Sequence, residues 1–157
     1  MYFYQADITF QEVPNEVSLV LSISGCPLKC KGCHSSHLWK ESGAELSREI
    51  FQQHLNRYKN LITCICFFGG EWDAESLVNF LSLAKDKGLK TCLYTGFEDV
   101  DEKIKDQLDY LKVGPWVEEL GGLDDKKTNQ RFIDVKSGNI MNHLFRKNTH
   151  THGGLNA

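Results

Sequence analysis

Short apolar segments alternate with amphipathic segments along the chain. Residues 17–24 alternate apolar and small polar side chains, which is typical of a strand. Residues 61–68 form a nearly continuous β-prone run that suits a buried parallel strand. Residues 89–95 predict another strand, and residues 111–117 and 131–135 are weaker candidates.

The segments between these strands predict helices. Ser47 precedes apolar residues at helical spacing, and Asp73 can cap a helix that ends near Gly88. A third helical pattern covers residues 99–111. Strands that alternate with helices indicate a parallel sheet with right-handed crossovers, but 157 residues are too few for a complete eight-fold barrel. We therefore predict an α/β fold, either an incomplete TIM-like βα barrel open on one side or a small open sheet.

Length and composition indicate one domain over residues 1–157, with a core at about 15–135 and a tail at about 137–157. Hydrophobic residues make up 41% and charged residues 25%, as in ordinary globular proteins. No apolar run is long enough for a membrane span, and the first residues do not resemble a secretory signal, so we expect a cytoplasmic protein. The net charge of −3 favours neither nucleic acid nor an anionic membrane as a partner.

The six cysteines are unevenly distributed. Cys26, Cys30 and Cys33 have a C-x3-C-x2-C spacing, and thiolates are soft ligands that select zinc or iron–sulfur clusters. A structural zinc ion usually has four protein ligands, so the fourth would be His34, His37 or a distant cysteine. A cubane cluster held by three cysteines instead leaves one iron open to a substrate or cofactor. A zinc-binding interaction module without catalysis, and three free thiols, are the alternatives.

The remaining cysteines and the terminal histidines have simpler explanations. Cys64 and Cys66 share one face of a predicted strand, and Cys92 lies on the next, which is typical of buried free thiols. His150 and His152 lie in a polar tail, where exposure is more common than metal binding.

Three loops with unusual residues follow predicted strands. They are the cysteine loop after Ser24, the sequence 69–71 (Gly-Gly-Glu) and the sequence 94–96 (Tyr-Thr-Gly). Because active sites of open α/β sheets gather beyond the carboxyl ends of the strands, we expect these loops to meet at one edge.

The cysteine spacing, directly after the first core strand, resembles that of radical S-adenosylmethionine (radical SAM) enzymes. The residues around it resemble those of the anaerobic ribonucleotide reductase-activating proteins. The resemblance covers about residues 15–135 and rests on Ser24-Gly25-Cys26, Cys30-Lys31-Gly32-Cys33-His34, Trp39, Gly69-Gly70-Glu71, Tyr94-Thr95-Gly96-Phe97, Gly114–Leu120 and Asn129–Asp134.

The resemblance implies a single radical SAM domain with one 4Fe–4S cluster and S-adenosylmethionine as cofactors. Cys26, Cys30 and Cys33 would hold the cluster, and the backbone at Gly69 and Gly70 would bind the amino group of S-adenosylmethionine. Glu71 would complement that ammonium group or hold the loop. The other implied contacts to this cofactor are Gly32, Cys33 and His34 near the adenine, and Tyr94 and Thr95 at a strand end. Trp39 would cover the cluster loop or join the core, and Asn129 and Arg131 would hold the carboxylate or ribose or order the last strand.

The resemblance also implies an activity and partners. One electron delivered through the cluster would cleave S-adenosylmethionine reductively, and the resulting radical would remove hydrogen from a glycine of another protein. The implied partner is the large subunit of an anaerobic ribonucleoside-triphosphate reductase, and the implied electron donor is a flavodoxin or ferredoxin. Action on another glycyl-radical protein or on a small molecule is the alternative within the same superfamily.

Overall fold

The computed structural model describes residues 1–147, so His150 and His152 lie outside the described residues. Its seven strands are β1 (Tyr2–Thr9), β2 (Ser18–Ile23), β3 (Ala44–Glu45), β4 (Cys64–Phe68), β5 (Lys90–Tyr94), β6 (Tyr110–Val113) and β7 (Arg131–Asp134). They form one sheet in the order β3-β1-β2-β4-β5-β6-β7. The core strands β2, β4, β5 and β6 are parallel, as the alternation of strands and helices predicts.

The helices are α1 (Arg48–Tyr58), α2 (Ala74–Asp86) and α3 (Glu102–Lys105), with short 3₁₀ turns at Ser36–Trp39, Glu71–Asp73 and Asn142–Phe145. The predicted helix starts are confirmed, because Ser47 caps α1 by accepting from Ile50 N, and Asp73 caps α2 by accepting from Ser76 N. The third helix is much shorter than predicted. No helix within residues 1–147 has both the length and the apolar composition needed to cross a membrane.

The predicted incomplete TIM-like βα barrel is wrong. Strand β1 pairs antiparallel with β2, and β7 pairs antiparallel with β6, so antiparallel strands border the parallel core on both sides. The two-residue strand β3 adds a further antiparallel pairing outside β1. A βα barrel needs parallel strands joined by crossovers all the way round. This fold is instead a mixed open sheet with few helices. It is closer to the alternative prediction of a small open sheet.

Different elements cover the two faces of the sheet. Helices α1 and α2 pack their apolar faces onto one side, where Phe51, Leu77 and Leu81 contribute to the main core. Loop residues such as Val13 and Leu123 cover the other side, which also buries Cys64, Cys66 and Cys92. These three cysteines are free thiols, and burial raises the pKa of Cys92 well above its ordinary value.

Candidate metal centre and cofactor pocket

A cavity of about 210 Å³ lies beyond the carboxyl ends of the parallel strands. The cysteine loop contributes Cys26, Cys30 and Cys33 to its wall. The loops after β4 and β5 contribute Glu71 and Thr95. The predicted meeting of the three loops at one edge is therefore confirmed.

Backbone hydrogen bonds and one close contact hold the cysteine loop in place. The amides of Gly25 and Cys26 both donate to Leu38 O, at 2.8 and 3.0 Å, and Cys33 N donates to Cys30 O at 3.2 Å. The loop leans on the end of β5, because a Cβ added to Gly96 would lie 2.5 Å from Leu28 Cδ1. A side chain at position 96 would displace Leu28, so the cysteine loop packs directly against the residue that follows Thr95.

The cysteine sulfurs lie among hydrogen-bond donors. All three thiols are free and partly buried. Burial raises the pKa of Cys26, while the backbone amides of Leu28 and Lys29 act in the opposite direction by donating to its sulfur. Ser35 N donates to Cys33 Sγ at 3.4 Å. Amide donors of this kind stabilise thiolates and tune the potential of an iron–sulfur cluster.

None of the predicted fourth ligands for a zinc ion joins the three cysteines at the cavity wall within residues 1–147. Within residues 1–147, no three His, Cys, Asp or Glu side chains are grouped so that they could hold a metal ion. His34 packs against Trp116 and His37 against Tyr4, and neither lines the cavity as a fourth ligand. A cubane cluster binds each thiolate at a different iron, so its cysteines need only face a common cavity.

Several polar atoms at the cavity wall lack a hydrogen-bond partner within residues 1–147. The indole Nε1–H groups of Trp39 and Trp116 are buried and have no acceptor within the described part of the chain. Oxygen Oε2 of Glu71 is buried and also unpaired among residues 1–147. All three side chains line the cavity. Buried polar groups are normally hydrogen-bonded, so these atoms fit a cavity that receives a polar group.

A half-buried acid, Glu71, and a buried base, Lys112, lie beside the cysteines. Thr95 Oγ1 donates to Glu71 Oε1 at 2.5 Å, and burial raises the pKa of Glu71. Lys112, in the middle of β6, is 8% exposed and donates from Nζ to Gly114 O at 2.9 Å. Burial lowers the pKa of Lys112 to about 8, so the side chain remains mostly charged at neutral pH. The cavity thus offers a carboxylate and an ammonium group together.

The structure brings most of the predicted site residues together. Cys26, Cys30, Cys33, Gly69, Glu71, Tyr94 and Thr95 line the cavity, and so does Trp39. Gly32, His34 and Gly70 do not line it, although each is adjacent in sequence to a residue that does. Asn129 donates to Pro115 O, while Arg131 pairs with Glu98 on the surface, so these two residues order the β7 region.

Sequence reasoning missed several lining residues. Lys112 interrupts an otherwise apolar strand, and a charge at a buried strand position was the signal that could have identified it. Trp72 and Trp116 also line the cavity. Trp72 lies so close to Gly69 that a Cβ there would be 2.5 Å from its ring atom Cη2. The contacts that bring these aromatic rings to the cavity are tertiary, and the chain pattern does not reveal them.

A second, larger cavity of about 790 Å³ adjoins the first. Phe10, Pro14 and Phe145 contribute to its wall. Tyr94 and Gln130 line both cavities and therefore lie between them. The hydroxyl of Tyr94 donates to Glu12 O, and its ring stacks on Phe68 with centroids 4.7 Å apart, so the Tyr94 ring has a fixed position where the two cavities meet.

Comparison with curated proteins found no match, and comparison with solved structures found none either. A family model described as a 4Fe-4S single cluster domain matches residues 16–140. The matched range contains the three clustered cysteines, Glu71 and Lys112. It supports an iron–sulfur cofactor and is compatible with an oxidoreductase. On the extent of this match, together with a cavity that three cysteines share, the chain belongs to the 4Fe-4S single cluster domain family.

Proposed function

We propose that this chain is a radical SAM activating enzyme that generates a glycyl radical on an anaerobic ribonucleoside-triphosphate reductase. The observation that carries the proposal is that Cys26, Cys30 and Cys33 share one cavity with a half-buried carboxylate and a buried ammonium group. Three cysteines would leave one iron of a 4Fe–4S cluster without a protein ligand, and the charged pair lines the same cavity as those cysteines.

Glu71 and Lys112 suit the amino-acid end of S-adenosylmethionine. That end carries an ammonium and a carboxylate, and the two side chains supply the opposite charges. Glu71 keeps Oε2 free of partners among residues 1–147, while Thr95 fixes its other oxygen. Because both side chains are largely buried, their attraction for a zwitterion is weakly screened by solvent.

The chemistry proposed here belongs to the cofactors, and the protein binds and orients them. A 4Fe–4S cluster held by Cys26, Cys30 and Cys33 would supply one-electron reductive cleavage of a bound S-adenosylmethionine, and this chemistry would allow removal of hydrogen from a glycine. The cysteine loop holds the cluster, and Trp39, Trp72 and Trp116 exclude water from the cavity.

The second cavity supports a protein substrate. A glycine in a partner protein must reach the cofactor on a peptide segment, which requires a wide approach. The 790 Å³ cavity adjoins the cysteine-lined one at Tyr94 and Gln130. The proposed partners are the large reductase subunit and a flavodoxin or ferredoxin as electron donor, with no nucleic acid involved. A cytoplasmic location is part of the same proposal.

The first experiment tests the cluster. The chain is purified without oxygen, its iron and acid-labile sulfide are measured, and Cys30→Ala is compared with Cys92→Ala. We expect equal iron and sulfide in the wild type, loss of both in Cys30→Ala, and retention in Cys92→Ala, whose thiol lies in the core away from the cavity. Zinc without sulfide would contradict the proposal and favour an interaction module.

The second experiment tests the reaction. The loaded chain is mixed with S-adenosylmethionine and a reductant, and methionine and 5′-deoxyadenosine are quantified. The candidate reductase is then added, and its glycyl radical is sought by electron paramagnetic resonance. Cofactor cleavage without a glycyl signal would overturn the reductase assignment and favour another glycyl-radical protein or a small molecule.

A further inference from the structure

The position before the third cysteine carries no side chain. Gly32 has φ +71°, and a Cβ added there would lie 3.2 Å from Glu118 Oε2 and 3.7 Å from Trp116 Nε1. A distant segment of the chain therefore occupies the place where a ring at position 32 would project. Trp116 belongs to that segment, and it lines the cavity together with the three cysteines.

The segment that carries Trp116 is anchored immediately before the ring. Gly114 N donates to Phe97 O at 2.8 Å, and Lys112 Nζ donates to Gly114 O at 2.9 Å. Pro115 O accepts from Asn129 Nδ2 at 3.0 Å and from Gln130 Nε2 at 3.4 Å. Residues of β6, the loop after β5 and the residues before β7 thus fix the position of the indole, which is preorganised for binding.

The indole offers a flat surface and an unused donor. Its ring centroid lies 4.8 Å from that of His34, with an angle of 48° between the rings. Its Nε1–H is buried and has no acceptor among residues 1–147. A flat ring with an unpaired N–H, beside an imidazole, suits a planar heteroaromatic ligand that carries nitrogen or hydroxyl acceptors. A purine nucleoside has this chemistry.

We propose that Trp116 is the residue that binds the adenosine part of the cofactor, by stacking on the base and donating its Nε1–H to the nucleoside. The inference rests on the proposed function and deepens it, because it assigns recognition of the nucleoside to the segment after β6 rather than to the residue before the third cysteine. The positive φ of Gly32 favours glycine at this position, and Trp116 and Glu118 lie close beside it.

The test measures binding of the nucleoside part of the cofactor separately from binding of its amino-acid part. Binding of S-adenosylhomocysteine and of L-methionine to the cluster-loaded chain is measured by anaerobic calorimetry. Both probes carry the same zwitterion, but only the first carries adenosine. For Trp116→Leu, which keeps apolar bulk without a ring, we expect affinity for S-adenosylhomocysteine to fall by at least roughly fivefold. Methionine affinity should be unchanged.

Trp116→Phe separates the ring from the N–H group. It keeps a stacking surface, so its affinity for S-adenosylhomocysteine should lie between those of the wild type and Trp116→Leu. Tyr4→Leu is the matched control, because it also removes a ring that packs against a loop histidine, His37, but Tyr4 is exposed and lines neither cavity. This control should not lower the preference for S-adenosylhomocysteine over methionine. Iron content and thermal unfolding are measured for every variant. If Trp116→Leu does not load a cluster, the affinities of Trp116→Phe and Trp116→Tyr are compared with that of the wild type instead.

Three outcomes would overturn the inference. Equal affinity of wild type, Trp116→Phe and Trp116→Leu for S-adenosylhomocysteine would remove the stacking role. A shift in the midpoint potential of the cluster in Trp116→Phe, without a change in affinity, would show that the indole donates to the cluster instead. A wild-type chain that loads a cluster but binds neither probe would overturn both this inference and the proposed function, whereas the first two outcomes leave the proposed function intact.

Discussion

Replacing Lys112 by methionine tests whether a charged group is buried beside the cysteines. Lys112 is 8% exposed and lies on β6 between two buried apolar residues. Burial lowers its pKa from 10.5 to about 8, although Cys30, Glu71 and Glu98 act to raise it. Methionine has a similar length and no charge, so Lys112→Met removes the titrating group while keeping most of the packing.

The sign of the effect follows from proton binding. Between about pH 8 and pH 10.5, the unfolded chain keeps the Lys112 proton while the folded chain releases it. Stability rises with pH wherever the unfolded state binds more protons. From pH 7 to pH 10, this difference adds about 2.5 kcal/mol to the free energy of unfolding of the wild type. Lys112→Met lacks this gain.

The assay is urea denaturation of the metal-free, reduced chain at pH 7 and at pH 10. The quantity of interest is the difference between the wild type and Lys112→Met, in which the effects of titrating groups that do not interact with Lys112 cancel. From pH 7 to pH 10, we expect the free energy of unfolding of the wild type to rise by about 2.5 kcal/mol relative to that of the variant. Lys126→Met, at an exposed lysine, is the matched control for the loss of one positive charge. A difference that does not change with pH would refute the burial of a charged Lys112.

Three further predictions concern stability and spectroscopy. Gly69→Ala should lower the free energy of unfolding by roughly 2–5 kcal/mol in urea titrations. The alanine would have a left-handed backbone conformation, and its Cβ would clash with the Trp72 ring. Gly88→Ala, at a similar φ with no atom within 4 Å of the added Cβ, should cost only roughly 1–2 kcal/mol, and equal losses would contradict the clash. Loading the cluster should quench most of the tryptophan fluorescence, since all three tryptophans line the cavity; emission that survives loading would contradict this placement. Above about pH 8.5, the wild type should lose stability relative to Cys92→Ala by up to about 1.4 kcal/mol per pH unit, because the unfolded chain alone releases that thiol proton. Denaturant midpoints of the two chains that stay parallel up to pH 10 would refute it.

The elements that the sequence predicted well are those in which local pattern and tertiary environment agree. The apolar run at residues 61–68 became β4, and the capping residues Ser47 and Asp73 start α1 and α2. The helix predicted at residues 99–111 shortened to Glu102–Lys105. There Asp109 accepts from Thr91 N, and the chain turns into β6 at Tyr110. A long-range contact of this kind overrides a local helical pattern.

The overall architecture was harder to predict than its elements. Strand direction depends on pairing between distant segments, so the alternation of strands and helices could not reveal that β1 and β7 run antiparallel to their neighbours. In the candidate site, the cysteines and strand-end loops were visible because they are close in sequence or follow strong strands. Lys112 and Trp116 reach the cavity through tertiary packing. The charge of Lys112 within an apolar strand is a local sign of an unusual environment, whereas no local pattern distinguishes Trp116.

The antiparallel strands beside the parallel core restrict how such a fold can grow. A new βα repeat joins a sheet by adding a parallel neighbour at a free margin, and here β1 and β7 already occupy the places next to β2 and β6. Additional length therefore enters most easily as insertions between existing strands. Those connections include the loops that line the cysteine-containing cavity. Insertions would therefore change the ligands that the cavity can bind while the strand order of the sheet stayed the same.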